Sequence, residues 1–294
     1  MEAVHVFIKG RSGNGIFYRS EDFLVLITIV SVLVRDMGLI VLAFCPMFNH
    51  IHFLFKRIDR ATLSRFVLRL TAIFVREYNK EYERKGPLFQ KQYGCSVKKA
   101  VKIILGCVAY VFNNPVAGRL FKSAKEYRWS LLAYQESDTP FSPPLKKNSC
   151  RNIMRIALSK VDYFYSNGNY LSHDALRSIF KDLNSIERKQ VTDYILFKYN
   201  MISRESLKEL YGGLDNMFLA IESNAGSEYD LEDEYGDHSC YRSMLDVVMK
   251  LGYKDQGLNL EKLTKEKSDY LFRLLRGKTK APATSVNKFL HRPT

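Results

Sequence analysis

The chain lacks the cysteine pattern of a disulfide-stabilised or thiolate-metal protein. Its five cysteines are Cys45, Cys95, Cys107, Cys150 and Cys240, an odd number with no C-x-x-C pair. This pattern excludes a disulfide framework and a cysteine-based zinc site, and it is typical of a reducing compartment.

Long apolar runs are also missing. The longest run, from Phe23 to Val34, is interrupted by Thr28 and Ser31. It falls short of the roughly 20 apolar residues that a membrane helix needs. The sequence also opens without the features of a secretory signal. We therefore expect a cytoplasmic protein that has no membrane partner.

Acidic residues are scarce in the first half of the chain. Lys and Arg total 45 against 31 Asp and Glu, a net charge of +14. Residues 1–150 hold 23 basic and 11 acidic residues, a net of +12, which leaves 22 and 20, a net of +2, for residues 151–294. Such asymmetry indicates a polyanionic partner for the first half, and nucleic acid is the commonest. A merely soluble basic protein is the alternative.

Hydrophobic periodicity predicts an α+β fold for the first half. The predicted elements are a strand at Val4–Ile8, a helix from Ser20 to Gly38, strands at Leu39–Phe44 and Ile51–Lys56, a helix at Ala61–Arg84, a short strand near Leu88–Gln92 and a helix from Ser96 to Asn113 that Pro115 stops. This order suggests a compact sheet with helices packed on one face.

The second half reads as short helices after a polar, proline-rich break at Ser137–Pro144. We therefore predict a first domain at residues 1–136, a linker at 137–149 and a helical region at 150–294. Its predicted helices include His173–Leu183, Ile186–Tyr199, Tyr241–Leu251 and Lys265–Arg276. The acidic segment Glu228–Asp237 suits a solvated loop better than a cation site.

A histidine pair lies in the segment FNHIHFLF, residues 48–55. Successive side chains of a strand point to opposite faces, so His50 and His52 project together while Ile51 and Phe53 point into the core. Two imidazoles at this spacing on a rigid strand can ligate one divalent metal. Because both point off the core face, replacing either is expected to leave the fold nearly intact. Two surface histidines that alternate by chance are the simpler explanation.

A second candidate lies in YVFNNP, residues 110–115. Tyr110 is placed in the last turn of the predicted helix, and Asn114 follows four residues later on nearly the same side. A tyrosine hydroxyl can attack a phosphodiester, and an asparagine amide oxygen can join a metal site. With 18 tyrosines in the chain, a packing role is the default for any one of them.

Four cations on the helix at Ala61–Arg84 fall together by 3.6-residue periodicity: Arg65, Arg69, Arg76 and Lys80. They form either a solvated face or a stripe that contacts DNA phosphates.

The pieces FNHIHFLF, GPLFQKQYG, YVFNNPVAGRL and EYRWSLLAY occur in this order with suitable spacing. Together they resemble the insertion-sequence-200-like single-tyrosine HUH transposases, and specifically the branch associated with repetitive extragenic palindromes, over residues 4–135. Two positions depart from the family pattern. Phe48 stands where a proline is usual, and Ala117-Gly118-Arg119-Leu120 replaces the usual Arg-Ala-Gly-Leu.

The resemblance implies a ferredoxin-like HUH nuclease domain. In it, Mg²⁺ or Mn²⁺ would be held by His50, His52 and Asn114, and Tyr110 would attack single-stranded or hairpin DNA to give a 5′-phosphotyrosine and a free 3′ hydroxyl. Lys91, in the second piece, joins the candidate DNA contacts. The expected protein is a transposase, a DNA-nicking and strand-transfer enzyme of the bacterial cytoplasm and nucleoid that acts as a monomer or homodimer.

Two alternatives remain open. The chain is either an active transposase or a domesticated DNA-binding protein that keeps the fold without cleaving. A replication initiator or relaxase would use the same chemistry, but those relatives have a different order of motifs and longer chains.

Overall fold

A computed structural model describes residues 1–146, 150–223, 239–251 and 263–292. The segment Glu228–Asp237 lies outside these residues. Four strands form one sheet in the order β2-β3-β1-β4, and every neighbouring pair is antiparallel. The strands are β1 (Ala3–Lys9), β2 (Ile40–Met47), β3 (His50–Lys56) and β4 (Gly94–Lys98). The antiparallel sheet with helices confirms the α+β prediction.

The helices of the first half are α1 (Ser20–Asp36), α2 (Arg60–Glu81) and α3 (Val101–Ala117). The prediction that helices cover one face of the sheet is wrong. Phe66 of α2 contacts Phe53 and Phe55 of β3, whereas α3 places Tyr110 against the opposite face of the same strand. Both faces of β3 are therefore covered, which explains why its central five residues are all buried.

The predicted strand near Leu88–Gln92 is also wrong. Phe89 makes only a single bridge to Gly10, and the fourth strand is Gly94–Lys98. Ser96 was expected to start a helix, but it pairs with His5 of β1 and the helix begins at Val101. Pairing with a central strand here overrides the local helix signal of Ser96.

Helix α3 does not stop before Pro115 but continues through it to Ala117. Proline removes one backbone hydrogen bond from a helix and disfavours the helical conformation in the residue before it. Eleven of the twelve residues from Ile104 to Pro115 are buried, and Leu105 is the exception. Tertiary packing offsets the cost of the proline, and it also places Tyr110 in the interior of the helix rather than in its last turn.

The second half is helical, as predicted. Its helices are α4 (Asn152–Ser166), α5 (His173–Phe180), α6 (Ser185–Lys198), α7 (Arg204–Tyr211), α8 (Leu214–Ser223), α9 (Ser239–Lys250), α10 (Lys265–Thr279) and α11 (Ala283–Phe289). Among the described residues no helix is both long and apolar enough to cross a membrane.

Helices α4 to α8 share one hydrophobic core with the sheet, since the main buried cluster runs from Ala3 to Ile221. Two buried carboxylates stabilise the packing of these helices on the first half of the chain. Asp22 of α1 accepts hydrogen bonds from the Tyr82 hydroxyl (2.9 Å) and faces His173 Nε2 of α5 (3.0 Å). Asp193 of α6 accepts from the Tyr134 hydroxyl at 2.7 Å.

Candidate functional site

The strand register gathers the candidate residues on the face of the sheet that α3 covers. His52 of β3 lies opposite Phe7 of β1, and His50 lies opposite Lys9. Directly opposed residues of an antiparallel pair share a face, so these side chains and that of His5, two residues before Phe7, all point the same way. The prediction that His50 and His52 project together is confirmed by this register.

The orientation of the His52 ring is fixed by His5, a residue that was not among the predicted site residues. His5 Nε2 lies 3.0 Å from His52 Nδ1, and the two residues are only 2% and 1% exposed. They sit diagonally across β1 and β3, a relation set by the register alone. The signal in the sequence is the alternation of His5 with Val4 and Val6, which places an imidazole on the polar face of β1.

His50 is oriented by Asn49. The Asn49 Nδ2 donates to the backbone oxygen of Gly13 at 3.2 Å, so its Oδ1 accepts, and His50 Nδ1 lies 2.8 Å from it. His50 Nδ1 therefore carries the hydrogen, and Nε2 is the nitrogen of the neutral ring that holds the lone pair.

Tyr110 lies against the histidines. Its ring centroid is 5.7 Å from that of His52 and 5.6 Å from that of His5, with interplanar angles of 86° and 89°. The His50 and His52 rings are 4.8 Å apart. Tyr110 is only 6% exposed, so its ring is packed between α3 and the sheet.

Asn114 lies one turn after Tyr110, as predicted, and its Nδ2 donates to the Tyr110 backbone oxygen at 3.1 Å. Its Oδ1 is thus the side-chain atom that would meet a metal. The adjacent Asn113 points elsewhere, since its Nδ2 donates to the backbone oxygen of Ile221 in α8 at 2.7 Å.

Burial lowers the pKa of His52 well below its usual range, and the neighbouring His50, His5 and Lys9 act in the same direction. His52 is therefore neutral near pH 7, the state in which an imidazole binds a metal. The same burial corrects one expectation: His52 is part of the packed interior, so its removal would open a cavity rather than leave the fold nearly intact.

The donor set fits a divalent metal. Two neutral imidazoles and an amide oxygen leave room for phosphate and water oxygens, and Mn²⁺ accepts both kinds of ligand. No group of three or more His, Cys, Asp or Glu side chains suited to a metal occurs within the described ranges. The third protein ligand would therefore have to be of another type, such as the amide of Asn114.

The basic candidates on helix α2 lie apart from this site. Lys91 does not, because it follows Gln90, whose backbone nitrogen donates to the backbone oxygen of Lys9, the residue opposite His50. Helix α2, which carries the four other candidates, packs on the sheet face away from the histidines. Arg69 pairs with Asp36 at 3.5 Å and Lys80 with Asp174 at 2.5 Å. Arg76 donates to the Tyr170 hydroxyl at 3.2 Å. Arg65 and Lys91 are exposed.

Comparison with known proteins finds a family that the first part of the chain resembles. Residues 4–114 match the model of the family described as "Transposase IS200 like". A solved structure of a REP-associated tyrosine transposase bound to a REP hairpin is 12% identical, with a TM-score of 0.38 over 45% of this chain and 78% of that one. No curated protein matches. The matched residues include His5, His50, His52, Tyr110 and Asn114.

Proposed function

We propose that the protein cleaves and rejoins single-stranded DNA beside a hairpin, with Tyr110 as the nucleophile. The observation that carries this proposal is the convergence of Tyr110, from α3, on His52, from β3, at 5.7 Å between ring centroids. A candidate nucleophile and a candidate metal ligand from separate segments thus meet inside the region that matches the transposase family.

In the proposed reaction the Tyr110 oxygen attacks the scissile phosphorus, and the bond from phosphorus to the 3′ oxygen breaks. The tyrosine hydroxyl loses its proton, and the departing 3′ oxygen takes one up. The products are a 5′-phosphotyrosine and a free 3′ hydroxyl, and attack by a 3′ hydroxyl on the phosphotyrosine rejoins a strand.

His50, His52 and Asn114 would hold Mg²⁺ or Mn²⁺. Such an ion, when bound, polarises the scissile phosphate and offsets its charge. The histidines would contribute Nε2, because Asn49 engages Nδ1 of His50 and His5 engages Nδ1 of His52. The protein's share of catalysis is then to position the phosphate against the tyrosine.

The test uses a labelled hairpin with single-stranded flanks, incubated with the full chain and Mn²⁺. We expect a covalent adduct that survives a denaturing gel and disappears with Tyr110→Phe, while hairpin binding persists. Tyr93→Phe is the matched control, because it removes an equivalent hydroxyl from a loop and should leave the adduct unchanged. Undiminished cleavage in excess chelator would exclude the metal, and an adduct formed by Tyr110→Phe would exclude this nucleophile.

A second candidate is a DNA-binding protein of the same fold that does not cleave. The burial of Tyr110 (6% exposed) and His52 (1%) favours it. It predicts tight hairpin binding without any adduct, at every metal tested.

A further inference from the structure

The last three helices dock directly beside the strand turn that presents His50. A second buried cluster joins Tyr18 and Phe48 to residues of α9, α10 and α11. Phe48, in the turn between β2 and β3, stacks on Tyr241 at 4.5 Å and on Phe289 at 5.8 Å between ring centroids. These helices are therefore held by an aromatic contact two residues from His50.

Polar contacts reinforce this docking. The Tyr18 hydroxyl donates to the Phe289 backbone oxygen at 3.1 Å, and His291 Nε2 lies 3.2 Å from the Gly15 backbone oxygen. Lys288 lies over Gly13, where an added Cβ would meet its Nζ at 3.5 Å. Gly13 in turn accepts from Asn49, the residue that orients His50, so α11 and the histidine site share one loop.

The charge of this part of the chain is strongly positive. Residues 263–292 contain eight basic and two acidic residues, a net of +6, whereas residues 151–262 carry 14 basic and 18 acidic residues, a net of −4. The net charge of residues 151–294 is therefore close to zero only because the acidic residues before position 263 offset the basic residues after it.

Three of these cations, Arg273, Arg276 and Lys280, define what we call the α10 patch. Arg273 and Arg276 are one turn apart on α10, and Lys280 is its C-cap residue. All three are exposed, and none forms an ion pair with a described residue, in contrast to Arg292, which binds Asp269 at 2.7 Å. Clustered cations of one sign repel one another unless a polyanion neutralises them.

We propose that the α10 patch binds backbone phosphates of the DNA strand that flanks the scissile phosphate. This inference rests on the proposed function. Helix α11 has seven residues, about 10 Å at 1.5 Å per residue, and it connects the patch to the loop beside His50. The C-terminal helices thus extend the DNA-binding surface of the transposase domain.

The experiment compares two triple variants of the full chain. Arg273→Gln, Arg276→Gln and Lys280→Gln together remove the patch. The control, Lys181→Gln, Lys189→Gln and Lys208→Gln, removes three exposed cations from the preceding helical segment. Glutamine keeps a high helix propensity, and equal melting temperatures will show that both variants fold.

Hairpin binding is measured by fluorescence anisotropy across a salt series. Each lost phosphate contact flattens the slope of log affinity against log salt by about 0.7 to 0.9, so the patch variant should lose about 2 to 3 and the control nothing. Shortening one single-stranded flank of the hairpin at a time should abolish this difference when the flank that lies on the patch is removed.

Equal slopes for wild type and patch variant, or equal losses in both triple variants, would overturn the proposal. So would a patch effect that persists on hairpins without either flank. These outcomes differ from failure of the proposed function, in which the wild-type protein itself would form no adduct. An adduct in wild type with no patch effect would reject the α10 patch alone.

Discussion

Replacing His5 tests whether the histidine site is built as a metal site. A histidine that coordinates through Nε2 must carry its hydrogen on Nδ1, and that hydrogen needs an acceptor when the ring is buried. In His52 the only acceptor that the structure places at Nδ1, among the described residues, is Nε2 of His5 at 3.0 Å. If His52 binds the proposed metal, His5 takes the part that a carboxylate or carbonyl usually plays behind a metal-bound histidine.

The size of the effect follows from burial. His5→Leu keeps the apolar bulk but leaves the Nδ1 of His52, a residue 1% exposed, without its acceptor. An unsatisfied buried polar group costs about 1 to 3 kcal/mol, and loss of a partner behind a metal ligand lowers metal affinity about 10- to 100-fold. His5→Gln, whose Oε1 can take the place of Nε2, should recover most of the metal affinity.

Mn²⁺ titration calorimetry on wild type and both variants measures this affinity, and thermal denaturation without metal measures stability. Nitrogen NMR of the metal-free protein reports which ring nitrogen of His52 carries the hydrogen. If His5→Leu binds Mn²⁺ as tightly as wild type, the orienting role is wrong. If His5→Gln loses as much affinity as His5→Leu while both keep their stability, the hydrogen bond is not what matters.

Three further outcomes are expected. Gly94→Ala should destabilise the protein by about 1 to 3 kcal/mol, because the added Cβ would lie 2.0 Å from the Phe7 ring. Gly277→Ala should instead stabilise α10 by up to about 1 kcal/mol, because the added Cβ would have no atom within 4 Å. Chemical denaturation measures both changes. The unfolding free energy should fall as the pH drops below about 6.5, by at most about 1.4 kcal/mol per pH unit from His52. The reason is that His52 takes up a proton in the unfolded chain but not in the folded protein, where its pKa is lowered. His52→Gln should flatten this pH profile of stability, and an equally steep profile in the variant would contradict the reasoning. Replacing Arg65, Arg69 and Arg76 by Gln should flatten the salt dependence of DNA binding less than removal of the α10 patch does, because Arg69 already contacts Asp36 and Arg76 already contacts Tyr170. An equal or larger change would identify α2 as a main DNA contact.

The sequence allowed good prediction where a local rule decides the structure. Strand alternation placed His50 and His52 on one face, and helical spacing placed Asn114 one turn from Tyr110. It failed where distant packing decides. Pro115 was expected to end α3, but the buried surface of that helix keeps it intact to Ala117.

The missed part of the site has the same explanation. His5 and His52 are 47 residues apart, and only the pairing register of β1 with β3 brings their rings together. No local pattern encodes that register, and a single histidine in an apolar strand is a weak signal. The burial of Tyr110 likewise depends on distant residues, because its ring packs against His5 and His52.

One of the two departures from the family pattern, Phe48, has a physical reason in the C-terminal helices. Phe48, where a proline is usual, is the ring that α9 and α11 clasp. The Leu120 backbone oxygen also accepts from Arg242 of α9 at 2.9 Å. A proline at position 48 would offer no aromatic face to Tyr241, so this sequence is adapted to hold α9 in place. Since β3 begins with His50 two residues later, Phe48 joins α9 and α11 to the strand that carries the histidine site.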